Sequence, residues 1–100
     1  MSDSSEAVDD RVLHLRDQGQ AYARISRELG LGRTADAQQA FRRALLRLPA
    51  PDAERVRGEE LTRLDRLADR VRADTARDEV DRARQLKRIE QMRGRIRGDG

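Results

Sequence analysis

Residues 33 to 43, RTADAQQAFRR, place Arg33, Thr34, Gln38, Gln39, Arg42 and Arg43 within eleven positions. On helical spacing Gln38, Gln39, Arg42 and Arg43 fall largely on one side, and Ala37, Ala40, Phe41, Ala44, Leu45 and Leu48 on the other. Such a surface is either a DNA-reading element or the solvated side of a packed helix. Other chemistry finds little to work with. His14 is the single histidine, set between Leu13 and Leu15 with no acid cluster nearby to orient it, and the lack of cysteines removes disulfides, thiolate chemistry and most zinc sites. The carboxylates alternate with arginines at helical spacing, the pattern of solvated faces rather than of metal sites or acid–base pairs. GLGR at 30–33 lacks the following Lys-Ser or Lys-Thr of a phosphate-binding loop. The expectation is a protein that is not an enzyme and takes no metal or cofactor.

The elements that must position those residues are helices. Ala, Leu, Arg, Glu and Gln dominate, with one Phe and one Tyr, so the sequence predicts an all-α fold. With 100 residues, 36% hydrophobic and 41% charged, the core must be small and some helices exposed. The acidic first ten residues hold no apolar signal region, and no stretch approaches a membrane span. A cytoplasmic, nucleoid-associated location without membrane contact is therefore the expectation.

The net charge of +3 conceals segregation along the chain. Residues 1–10 carry four acids and no base, and residues 11–48 carry eight bases against Asp17, Glu28 and Asp36. Residues 52–81 carry ten acids and seven bases, whereas 82–98 carry seven bases and only Glu90. Two basic zones separated by an acidic one point to an anionic partner and also to internal pairing.

Punctuation divides the chain. Pro49 and Pro51 stop the helix that ends near Leu48, and the next begins at Pro51 or Asp52. The predicted order is a disordered acidic N-terminus (1–7), a helical head (8–48), a Pro linker (49–51), a helical region (52–96) and a flexible tail (97–100). In the head, Ser4 or Ser5 can cap a first helix carrying Val8, Val12 and Leu15, with Gly19 as its left-handed terminator. A second helix runs over about 21–29, with Tyr22, Ile25 and Leu29 on one face, and Gly30 ends it. Leu31 then points inward, and Thr34 or Asp36 can satisfy the first amides of a third helix reaching about Leu48.

The segment YARISRELGLGRT resembles the helix-turn-helix DNA-binding superfamily, with Ile25, Ser26, Leu29, Gly30 and Leu31 in the places of its apolar, small and turn residues. The preceding RVLHLRDQGQ matches the first helix of trihelical versions, so the resemblance covers residues 8–48. Ser26 replaces the usual alanine, and Asp36 stands where the first buried residue of the recognition helix is expected. Either the turn is one residue longer and Ala37 takes that role, or the third helix sits differently. The resemblance implies that the third helix enters the major groove of double-stranded DNA. Arg33, Thr34, Gln38 and Gln39 are then candidates for base or near-base contacts. Arg42 and Arg43 become phosphate contacts, joined by Arg24 and Arg27 from the second helix or Arg11 and Arg16 from the first.

Beyond the prolines, Val56, Leu61, Leu64, Leu67, Ala68 and Val71 form one apolar stripe, and Val80, Ala83, Leu86, Ile89, Met92 and Ile96 another. Between them DTARDE at 74–79 offers Asp74, Thr75 or Asp78 as caps. The region is a helical hairpin with its acidic arm against its basic one, or a continuous helix in a coiled coil with another chain. Leu61, Leu64, Leu67, Val71, Leu86 and Ile89 are the candidate oligomerisation residues of a homo-oligomer. EELTRLDRLADRV and RQLKRIEQMRGRI look like the helices that follow the DNA-binding domain in phage terminase small subunits. The expected function is that of a small transcriptional regulator or DNA-organising protein. The alternatives are a protein-interaction module that binds the transcription machinery or another regulator, and a phage packaging adaptor. The Gly-Arg stretch 92–97 reads either as a phosphate-binding end or as a frayed one.

Overall fold

A computed structural model describes residues 2–98, with side chains from Ser5 onward. The described residues are all-α, without strands: α1 is Ser2–Asp17, α2 Tyr22–Leu29, α3 Thr34–Arg47, α4 Ala50–Ala73 and α5 Glu79–Arg97. None of these helices is long and apolar enough to cross a membrane. The chain divides into two units, residues 1–56 and 57–100.

In the first unit α3 packs against both α1 and α2. Its apolar stripe, Ala37, Ala40, Phe41, Ala44 and Leu45, is buried together with Val12, Leu15, Tyr22 and Ile25. Three alanines on one helix face allow close helix approach, and Phe41 fills the centre. Its ring meets Tyr22 edge-on, with centroids 5.9 Å apart. Both inter-helix turns close on glycine. Gly19 (φ 96°) donates to the Arg16 carbonyl while Gln20 donates to that of Leu15. Gly30 (φ 65°) donates to Arg27 while Leu31 donates to Ser26. Each pair satisfies the last carbonyls of its helix, and each needs a left-handed residue that only glycine supplies without strain.

In the first unit two boundaries differ from the sequence expectation. Residues 2–7, expected to be disordered, form the first turns of α1, and the Glu6 carbonyl accepts from Arg47 of α3. Met1 lies outside the described residues. The expected linker 49–51 shrinks as well, because α4 starts at Ala50 and Ala53 already donates to the Pro49 carbonyl. Pro51 fits in that first turn because its missing N–H would have had no helical partner there.

In the second unit α4 buries Glu60, Leu64, Ala68 and Val71, and α5 buries Ile89 and Ile96. The two arms run antiparallel. Arg57 Nε donates to the Ile96 carbonyl (3.1 Å), and Arg93 pairs with Asp65 (3.2 Å). The turn between them is closed by carboxylates: Asp74 accepts from the Ala76 amide, and Asp78 caps α5 by accepting from the Asp81 amide at 2.8 Å. Arg77 joins both ends, 2.9 Å from Asp74 and 3.1 Å from Asp81. Val80 and Ala83, placed on the apolar stripe by sequence, are exposed. The nine residues from Val80 to Ile89 are about two and a half turns, which puts the valine on the opposite side of the helix. α5 continues through Arg97 to a left-handed Gly98, so the expected tail loses its first residue to the helix. Asp99 and Gly100 lie outside the described residues.

Candidate nucleic-acid interface

Four residues, 30–33, separate α2 from α3, and two of them, Gly30 and Gly32 (φ 92°), are left-handed. The second glycine accommodates the longer turn, and Ala37, fully buried, takes the inward position while Asp36 stays half-buried at the surface. Asp36 closes the helix start instead. Its Oδ2 accepts from the Arg33 amide (3.2 Å), and its own amide donates to the Arg33 carbonyl (3.0 Å). That carbonyl also accepts from the hydroxyl of Ser26 at 2.9 Å, and Ser26 is buried. A serine at the small-residue position thus ties α2 to the start of α3, which an alanine could not do. Thr34, offered by sequence as a cap, is the exposed first residue of α3.

Seen along the axis of α3, Ala35, Gln39, Arg42 and Leu46 recur every three or four residues, opposite Ala37 and Ala44. Ala35, Gln39 and Leu46 are exposed and Arg42 is half-buried. Among the described residues, no side-chain hydrogen bond or ion pair engages Gln39 or Arg42. Leu46, 82% exposed, is the most exposed large apolar side chain described. Gln38 lies off this line, half-buried and engaged in an interaction of its own.

Arg43 does not join that outward face. It makes a two-pronged ion pair with Asp9 of α1, Nε to Oδ2 at 2.9 Å and Nη2 to Oδ1 at 3.0 Å. Arg47 adds a contact to Asp9 at 3.5 Å and one to Asp10 at 2.9 Å. The Asp9 side chain is only 4% exposed. Its hydrogen bond from Arg43 outweighs burial and holds its carboxyl below the usual carboxylate range, while Asp9 raises Arg43 in return. Forked arginine–carboxylate geometry is among the stronger polar contacts in proteins. The phosphate role that sequence gave Arg43 therefore meets a competitor fixed inside the fold.

The other candidates divide similarly. Arg24 pairs with Glu28 on its own helix at 3.0 Å, with both side chains well exposed. Arg33, 82% exposed, lies 3.7 Å from Asp36. Such surface pairs contribute roughly 0 to 1 kcal/mol and yield readily to another anion. Arg27 and Arg11 are exposed. Arg16 is held by the Gln20 carbonyl at 3.0 Å and lies 4.2 Å above the Tyr22 ring, which removes it from the set. His14 is exposed and 3.1 Å from Gln18. No group of described residues is arranged to hold a metal ion.

Of the oligomerisation candidates, Leu64, Val71 and Ile89 are buried within one chain, whereas Leu61, Leu67 and Leu86 are half-buried. Sequence reasoning missed Asp9 and Asp10 as partners for α3, although the acidic start beside a basic segment carried that signal. It also passed over Leu46, whose exposure follows from its place opposite Ala37 and Ala44.

Comparison of the chain with family models, curated proteins and solved structures finds no match.

Proposed function

We propose that the first unit binds double-stranded DNA with the outward face of α3, as a small helix-turn-helix regulator or DNA-organising protein. The observation that carries the reading is the pairing of an uncommitted Gln39 and Arg42 on the ridge of a helix held by a glycine-closed, serine-tied turn. A major groove admits one such helix, a glutamine matches the donor–acceptor edge of adenine, and arginine matches guanine or phosphate. Gln39, Thr34 and Arg33 face the bases, Arg42 the nearby backbone, and Arg24 and Arg27 the flanking phosphates.

Leu46 favours a second reading. An 82%-exposed leucine beside neutralised arginines suits a protein surface better than a phosphate backbone. A partner in the transcription machinery would bury it.

Titration of labelled random duplex at two salt concentrations distinguishes the two. DNA binding requires affinity that falls steeply between about 50 and 200 mM salt. Absence of binding at the lower concentration removes the DNA reading and leaves the protein one.

A further inference from the structure

The outer side of α5 carries charge of a different kind. Arg84, Lys87, Arg88, Gln91 and Arg95 recur at three-, four- and seven-residue steps and are all exposed. Helical geometry puts them on one side, away from the buried Ile89 and Ile96. Among the described residues none of the four cations has a side-chain hydrogen bond or an ion pair. Two of the three acids of α5 are used elsewhere, Glu90 with Arg93 and Arg97 and Asp81 with Arg77, and the third, Glu79, lies at the start of the helix before the ridge. What results is a ridge of four cations, with no acid on it, over the twelve residues 84–95, about 16 Å of straight helix.

We propose that this ridge is a second, sequence-independent contact for the phosphate backbone of duplex DNA, separate from α3. Charge density selects that occupant. Duplex DNA carries one negative charge per roughly 1.7 Å of axis, so a 16 Å row of cations can engage several phosphates at once. Three of the four are arginines, whose forked donors match phosphate oxygens. No aromatic residue is available in the second unit to stack on unpaired bases, which disfavours a single strand. On that side of α5 Val80, one turn before Arg84, is the one exposed large apolar side chain among the described residues, fewer than an interfacial membrane helix inserts. One glutamine amid the cations adds a hydrogen-bond donor without adding repulsion. A chain with two DNA contacts holds a duplex more tightly than either contact alone, or joins two duplex segments.

The test compares the full-length protein with the quadruple variant Arg84→Gln, Lys87→Gln, Arg88→Gln and Arg95→Gln, using random duplex DNA across a salt series. Glutamine keeps helix propensity at exposed positions, and circular dichroism reports whether the helices persist. Each neutralised phosphate contributes about 0.9 to the slope of log affinity against log salt, so the quadruple variant is expected to lose about 3 to 4 of that slope. Affinity at about 50 mM salt should fall at least tenfold. The companion Arg42→Ala, Gln39→Ala variant of α3 should retain that part of the slope. An unchanged slope in the quadruple variant overturns the inference even where the α3 variant has lost binding, so the two contacts fail separately. A charge-keeping variant, with Arg84, Arg88 and Arg95 all replaced by Lys, should keep the slope, and its loss there also overturns the proposal. So does a polyglutamate chain of equal charge that binds as tightly as the duplex, since the ridge would then be a protein-binding surface.

Discussion

The outer faces of α3 and α5 are both arginine-rich in sequence, and the fold treats them in opposite ways. On α3 the flanking arginines, Arg43 and Arg47, are drawn sideways into Asp9 and Asp10 of α1, leaving Arg42 alone on the ridge beside Gln39 and Leu46. On α5 Asp81 and Glu90 pair with arginines off the ridge, and four cations remain uncommitted. Local net charge therefore overstates the first surface and describes the second fairly. If both meet DNA as proposed, the first offers discriminating contact and the second electrostatic grip, because specificity needs few, well-placed groups and salt-dependent affinity needs many.

The strongest way to break the comparison is to unfold one side of it. Phe41 is fully buried at the centre of the first unit. Its replacement by alanine should cost about 3 to 5 kcal/mol in the stability of that unit, measured by chemical denaturation. If α5 holds DNA on its own, salt-dependent binding should survive in this variant with its sequence preference gone. Complete loss of binding would mean that the second surface depends on the first.

A smaller effect narrows the contrast instead of breaking it. Asp9→Asn should release Arg43 toward solvent while Arg47 stays on Asp10, raise duplex affinity several-fold and steepen the salt slope by about 0.9, the increment of one freed cation. Stability should drop at neutral pH by about 1 to 3 kcal/mol, the usual cost of losing hydrogen bonds to a charged group. The pH dependence has a definite sign. Asp9 is held below its ordinary value in the folded chain, so its contribution is present above about pH 4 and is lost as pH falls through the lowered folded value. Acid titration of the wild type should show that loss, and the asparagine variant should lack it.

Why one surface was legible and the other was not follows from the range of the interactions. The all-helical fold, the glycine-closed ends of α1 and α2 and the buried face of α3 are set by neighbours within a few positions, and period and glycine placement report such neighbours directly. The longer turn was open to two readings until Gly32 adopted a left-handed conformation beside a buried Ala37. Asp9 and Arg43 are 34 residues apart, and nothing local selects one acid among the four in the first ten residues. The helical turn at Glu6 has the same cause, because its carbonyl accepts from Arg47 of α3. Glu60 shows the limit most plainly: helical spacing sets it in line with Val56, Leu64 and Ala68 while its charge marks it as solvated, and it is 1% exposed, with Arg63 3.6 Å away.

The finest distinction concerns two neighbouring arginines. If α3 meets phosphate, Arg42→Ala should flatten the salt slope by about 0.9, one contact's worth, equally for every duplex. Arg43→Ala should change the slope far less, since its guanidinium is already spent on Asp9, although it should lower stability. In the Asp9→Asn background the freed Arg43 should behave like Arg42, and its removal should then cost the same increment of slope. Gln39→Ala, by contrast, should leave the slope alone and shift preference among duplexes by roughly 1 to 3 kcal/mol at a single position. Equal slopes for Arg42→Ala and Arg43→Ala in the wild-type background would mean that the Asp9 fork opens freely on binding, and the contrast between the two helices would then be one of rest state rather than of function.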